Sequence, residues 1–159
     1  MKTAILDSPL GSIEVRGDDF GLASVIFLDE KTPVTPKGET PLELTRTHQQ
    51  LTEYFAGKRK HFDLKLNPSG TEFQRRVWQQ LQTIPIGKTA SYLDIAKDLG
   101  DAKTIRAAAS ANGKNPISII IPCHRVIGTD GSLTGYAGGL WRKKWLLEHE
   151  QNTEQLVLF

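Results

Sequence analysis

The chain has 159 residues, a net charge of +2 and a single cysteine, with 38% apolar and 24% charged residues. That length buries a sizeable core without cross-links, and one thiol excludes an internal disulfide and a multi-thiolate metal site. No apolar run has membrane-spanning length, and Asp7 and Pro9 interrupt any signal-peptide core, so a cytoplasmic protein is expected.

The first block reads as short strands at Ala4–Asp7, Ser12–Arg16 and Leu22–Leu28, punctuated by Gly11 and the Asp18-Asp19-Phe20-Gly21 turn. A proline-bearing loop, 32–41, follows. Leu44, His48, Leu51 and Phe55 fall on one helical face, closed by Gly57 and the cations at 58–60, where positive charge suits the helix dipole. Phe62–Leu66 predicts one more strand, and Asn67-Pro68-Ser69-Gly70 reads as a linker. Two domains are expected, 1–68 and 69–159. The first carries nine basic against ten acidic residues and the second eleven against eight, a slight bias toward a polyanionic partner in the second.

The second block reads as mostly helical. Thr71-Glu72-Phe73-Gln74 is a capping box, and Phe73, Val77, Leu81 and Ile84 form an apolar stripe. Ser91-Tyr92-Leu93-Asp94 is another capping box, its helix ending at Gly100. A second short helix from about Lys103 to Gly113 completes a helix-turn-helix pattern. Its face shows Arg106 with small side chains, among them Ala107, Ala108 and Ser110. Such a face suits close approach to a sugar-phosphate surface, and equally suits packing against the preceding helix. Ile117–Ile121 predicts a strand delivering Cys123, Asp130-Gly131 a hairpin, and Gly135 to Gly139 a loop. A last helix spans Leu140 to about His149, followed by a short mobile tail from Gln151.

Cys123 lies in Pro122-Cys123-His124-Arg125-Val126. A lone thiol is either inert packing or a nucleophile, and a nucleophile needs a base or cation beside it. His124 is adjacent, but neighbours on a strand face apart, so contact requires a turn or a bridging water. Glu150 is a candidate to orient the histidine; as a carboxylate near a helix C-terminus it reads equally as a fraying, solvated end with Glu148. Asn115-Pro116 is a polar corner that either holds the Cys123 segment or is a plain turn. Tyr136 either stacks on a ligand or packs on the core. The four histidines lack zinc spacing.

Together, Asn115-Pro116, Pro122-Cys123-His124-Arg125-Val126, Gly135-Tyr136-Ala137-Gly138-Gly139 and Trp145 to Glu150 resemble the O6-alkylguanine-DNA alkyltransferases, most closely the bacterial single-cysteine members, over roughly residues 71–150. The resemblance implies an N-terminal ribonuclease H-like α/β domain and a C-terminal winged-helix-like domain carrying the helix-turn-helix. It implies stoichiometric transfer of an alkyl group from O6-alkylguanine, with O4-alkylthymine as a second candidate substrate, in double-stranded DNA to Cys123, held as an anion, without metal or cofactor; a monomer is the default expectation. His124 would act through a water, oriented by Glu150, and Asn115 would hold the segment. Tyr92 would donate near O6. The backbones of Val126 and Ala137 would read the flipped base beside Tyr136 and Gly138, and Arg106 would replace that base in the stack, its helix of small residues lying in the minor groove. Ala137 stands where some members carry serine, which removes a hydroxyl contact but not a backbone donor. A non-catalytic alkylated-DNA binder of the alkyltransferase-like type is the alternative, although those proteins lack the acceptor cysteine. A Cys-His-Glu hydrolase and a sequence-reading winged-helix regulator also stay open.

Overall fold

A computed structural model describes residues 1–157. The chain divides into two compact units. The first is Met1–Ser69 together with Pro116–Ser118. The second is Gly70–Asn115 with the chain from Ile119 onward. No helix of the described residues is long and apolar enough to cross a membrane.

In the first unit, β1 (Lys2–Leu6), β2 (Ile13–Asp18) and β3 (Gly21–Phe27) form an antiparallel meander in that order. Alternation decides the face: Ala4, Leu6, Ile13, Val15, Leu22 and Val25 are buried. The β2–β3 turn is tied by Asp18, whose Oδ1 accepts from Phe20 N at 2.9 Å, and Gly21 takes a φ of +133°, a conformation open to glycine. Helix α1 (Thr45–Phe55) packs Leu51, Tyr54, Thr47 and Gln50 inward, with Leu44 just ahead of it. The buried stripe is therefore rotated from the predicted one, and His48 and Phe55 are only half-buried. Tyr54, ringed by Phe55 and Phe62 at centroid distances of 5.3 and 5.5 Å, pulls the face round. The strand expected at Phe62–Leu66 is reduced to a single bridge between Leu22 and Leu66. Gln50 explains why: its side-chain amide bonds both backbone groups of Asp63, at 3.0 and 2.9 Å, in place of a neighbouring strand.

The second unit begins with α2 (Glu72–Leu81), and both reciprocal bonds of the Thr71–Gln74 capping box are formed. Val77, Leu81 and Trp78 are buried, and Trp78 Nε1 donates to Ala111 O at 2.8 Å. The Ser91–Asp94 box likewise starts α3 (Tyr92–Asp98). A short 3₁₀ turn, Ala102–Thr104, leads into α4 (Ile105–Gly113). Ala90–Ser91 (β4) and Val126–Ile127 (β5) pair in parallel. Helix α5 runs from Leu140 to Val157, so the tail expected from Gln151 continues the helix. The Asp130-Gly131 signal makes a turn, with Gly131 N donating to Gly128 O at 2.8 Å, but it joins no pair of strands.

Gly70 sets one sharp packing limit. A Cβ there would lie 2.5 Å from Cη2 of Trp78, a side chain that is buried and hydrogen-bonded at its far end. Gly70→Ala is expected to lower stability by about 1–3 kcal/mol, read as a lower denaturant midpoint with an unchanged slope.

The segment 117–121 is not the predicted strand. Only Ile117 makes a bridge, to Val25. Ser118 to Ile120 turn, and Ile119 takes a φ of +72° while fully buried. A run without period gives no direction, and every residue of this one is buried. A β-branched residue in the left-handed region costs on the order of 1–3 kcal/mol, a strain the surrounding packing sustains.

Candidate active site

The turn delivers Cys123 into a one-turn 3₁₀ helix, Cys123–Arg125. Cys123 N donates to Ile121 O at 2.8 Å, and Arg125 N to Pro122 O at 3.0 Å. Consecutive residues therefore do not alternate as on a strand. Asn115 fixes the approach: its Nδ2 donates to Ile121 O at 2.8 Å, and its side chain also hydrogen-bonds the Cys123 sulfur.

His124 is fully buried, and its Nε2 lies 2.7 Å from Oε2 of Glu150. Glu150 is neither solvated nor terminal. It sits within α5, fully buried, and also accepts from Arg125 Nε (2.7 Å, Oε1) and Nη2 (3.1 Å, Oε2). Burial pushes its carboxyl up, but His124 and the Arg125 guanidinium outweigh that and hold it far below the ordinary carboxylate range. An ionised carboxylate only accepts, so the shared proton belongs to His124 Nε2. The other ring nitrogen, Nδ1, is buried, with no hydrogen-bond partner among the described residues. Of the pair only Glu148 is solvated, exposed beside Lys144 at 4.0 Å, and it too lies inside α5 and not at its end.

The thiol differs from expectation. Burial pushes Cys123 above the ordinary thiol value, against the Asn115 hydrogen bond and the Lys143 ammonium, which pull it down. Burial thus favours the neutral form of the resting thiol. An imidazole backed by a carboxylate is the kind of group that takes a proton from an attacking thiol.

Arg125 and Lys143 escaped the sequence reading. Arg125 Nη1 also donates to Ile84 O at 2.6 Å, so this guanidinium is braced on one side and grips the carboxylate on the other. Lys143 Nζ is buried among carbonyls, donating to Val126 O (2.6 Å), Thr134 O (2.8 Å) and Gly135 O (3.4 Å). Burial lowers its pKa and the nearby Cys123 opposes that. Three consecutive cations, Arg142 to Lys144, at the N-terminal end of a helix are the missed signal, because that end repels positive charge.

The other predicted residues separate into two groups. Near Cys123, Val126 is buried, its N–H given to Cys123 O and its carbonyl to Lys143. The Tyr136 ring stands edge-on to His124, centroids 6.5 Å apart. Ala137 is exposed, and the Gly138 carbonyl accepts from Arg142 Nη1 at 3.0 Å. Tyr92 opens α3 half-buried, its Oη donating to Thr134 O at 3.4 Å. On α4, Arg106, Ala107 and Ser110 are exposed. Ala108 departs from expectation: it is buried, on the side of α4 that packs against α2 and α3, and presents no surface to a partner. Asn112, near the end of α4, reaches the carbonyl of Cys123 at 3.5 Å.

The 6-O-methylguanine DNA methyltransferase ribonuclease-like domain matches residues 1–68 of the chain, and the DNA-binding domain of the same family matches residues 72–152. The chain is 48% identical to the methylated-DNA–protein-cysteine methyltransferase of Methanosarcina acetivorans, over 94% of this chain and 98% of that protein. It is 46% identical to that of Mycolicibacterium paratuberculosis, over 97% and 96%. The crystal structure of Mycobacterium tuberculosis O6-methylguanine methyltransferase superposes with a TM-score of 0.83 at 43% identity, covering 95% of this chain and 93% of that one. The same organism's protein in complex with DNA gives 0.84 at 43% identity and the same coverage. With both of its domains matched in order and the lone thiol on the same turn as an imidazole paired with a buried carboxylate, the chain belongs to the 6-O-methylguanine DNA methyltransferase family.

Proposed function

We propose that this chain repairs O6-alkylguanine in double-stranded DNA by moving the alkyl group, once, onto Cys123. The observation that carries the reading is the buried His124–Glu150 pair, its carboxylate locked by Arg125, on the same 3₁₀ turn as the buried Cys123. Relatives named methylated-DNA–protein-cysteine methyltransferases and a relative in complex with DNA support the substrate. A free thiol suits a reducing, cytoplasmic setting.

An alkylated base is shielded inside a duplex and has to be extruded. Arg106, exposed on α4 between Ile105 and Ala107, fills the gap left in the stack, while Ala107 and Ser110 allow the helix close to the backbone. The base enters beside Tyr136 and Ala137. As the sulfur–carbon bond forms, the carbon–O6 bond breaks and its electron pair leaves with guanine. The thiol proton passes to His124, whose imidazolium Glu150 stabilises, and guanine takes up a proton at the end. Tyr92 assists as a donor near O6. The product thioether has no carbonyl for water to attack, so the protein acts once.

Intact mass measurement with a rising excess of O6-methylguanine duplex tests this. The expected result is a plateau at one methyl group per chain, mapped to the peptide containing Cys123. Continued turnover, or damage-selective binding with no mass gain, would sink it.

A further inference from the structure

The loop before α5 is short of stiffness of its own: Gly135, Gly138 and Gly139 make up three of its five residues from Gly135 to Gly139. Its first end is held by Lys143 through Thr134 and Gly135. The other end is held by two side chains that the chemistry above does not use. Arg142 is buried although it stands in the first turn of a helix, the end that disfavours a cation. Its Nη1 reaches back to Gly138 O at 3.0 Å. Its Cζ lies 4.6 Å from the centroid of the Trp141 ring, a cation–π contact. Trp141 is 58% exposed, an unusual position for so large an apolar ring unless it covers something. It covers Gly139: a Cβ at that residue, which has a φ of +91°, would meet Trp141 Cδ1 at 3.3 Å. Gly139 N in turn donates to Tyr136 O at 2.9 Å, and the Tyr136 ring faces His124.

We propose that Trp141 and Arg142 are positioning residues that clamp the Gly138-Gly139 turn, fix Tyr136 beside His124 with Ala137 next to it, and thereby set which O6 adducts fit. The inference rests on the transfer activity proposed above and adds a determinant of its adduct range. Clamped, the loop closes tightly around a small alkyl group and resists a bulky one. Released, it loses alignment for the small group and admits the bulky one, since a two-state loop shifts only by the difference in its contacts between states.

The test measures transfer rate constants from duplexes carrying O6-methylguanine or O6-benzylguanine, for the unaltered chain, Arg142→Ala, Trp141→Ala and Arg142→Lys. Arg142→Ala is expected to slow methyl transfer and to raise the benzyl-to-methyl ratio by about tenfold, the change that one charged hydrogen bond supports. Trp141→Ala, a truncation at an exposed site that leaves the core intact, moves the ratio the same way. Arg142→Lys, which keeps a donor for Gly138 O, restores most of the original ratio. A merely structural loss would lower both rates together and leave the ratio where it was, and that result overturns the clamp. If the unaltered chain transfers neither group, the transfer reading itself fails and the clamp falls with it; if it transfers them and both alanine variants keep its ratio, the clamp alone is wrong.

Discussion

Cys123→Ser is expected to give a folded, DNA-binding protein that forms no adduct. Serine is nearly isosteric and Cys123 is buried, so the packing of the 3₁₀ turn survives. The chemistry does not, because an alkoxide is far harder to generate at neutral pH than a thiolate. His124 is held by Glu150, which is itself committed to two bonds from Arg125. Removal of a nucleophile elsewhere costs on the order of a millionfold in rate, which here means no product on any practical timescale. Retention of damage-selective binding by gel shift, with an unmoved intact mass, is the expected pair of readings. An adduct elsewhere on the chain would show that another residue accepts the alkyl group.

Glu150→Ala is expected to damage both stability and rate. It leaves the Arg125 guanidinium buried without its counter-ion and frees the His124 ring. Breaking a buried pair from one side costs about 3–5 kcal/mol, a large share of the stability of a protein of this size. The corresponding fall in melting temperature is about 6–20 °C. Loss of the oriented base lowers transfer by roughly 10²–10⁴-fold. The pH dependence has a defined sign. The carboxyl's pKa in the folded chain lies far below its ordinary value of 4.5. The stability it contributes is therefore fully present above about pH 4.5 and is lost as the solution is acidified toward the folded pKa. Acid unfolding of the unaltered chain should be steeper below pH 4.5 than that of Glu150→Gln. Parallel acid profiles for the two would show that the pair contributes nothing to stability.

Local signals were readable wherever chemistry is local. Both capping boxes form as the residues dictate, and the three strands of the meander follow from alternation, within a residue or two at their ends. What the sequence hid is what distance in the chain hides. Glu150 looks like a fraying helix end because its partners, His124 and Arg125, are 26 and 25 residues away. Lys143 looks like a surface lysine because the carbonyls it gathers carry no side-chain signature. The apolar run at Ser118–Ile121 was taken for a strand because burial from every side and burial in a sheet write the same letters, and only the left-handed φ of Ile119 separates them. Ala108 was assigned to the outer face of α4 with its small neighbours because alanine fits either side of a helix.

The three residues Pro116–Ser118 complete the first compact unit, Val25 N donating to Pro116 O at 3.0 Å and Ser118 N to Val25 O at 3.1 Å. A gene severed at the Ser69–Gly70 junction would therefore not yield two self-sufficient pieces. The leading fragment would keep an open sheet border at Val25, an invitation to aggregate, and the trailing fragment would carry orphaned amides a few residues upstream of its reactive sulfur. Recombination or fragment engineering that treats this repair protein as two interchangeable cassettes should fail at that seam, and the reading frame is best inherited whole.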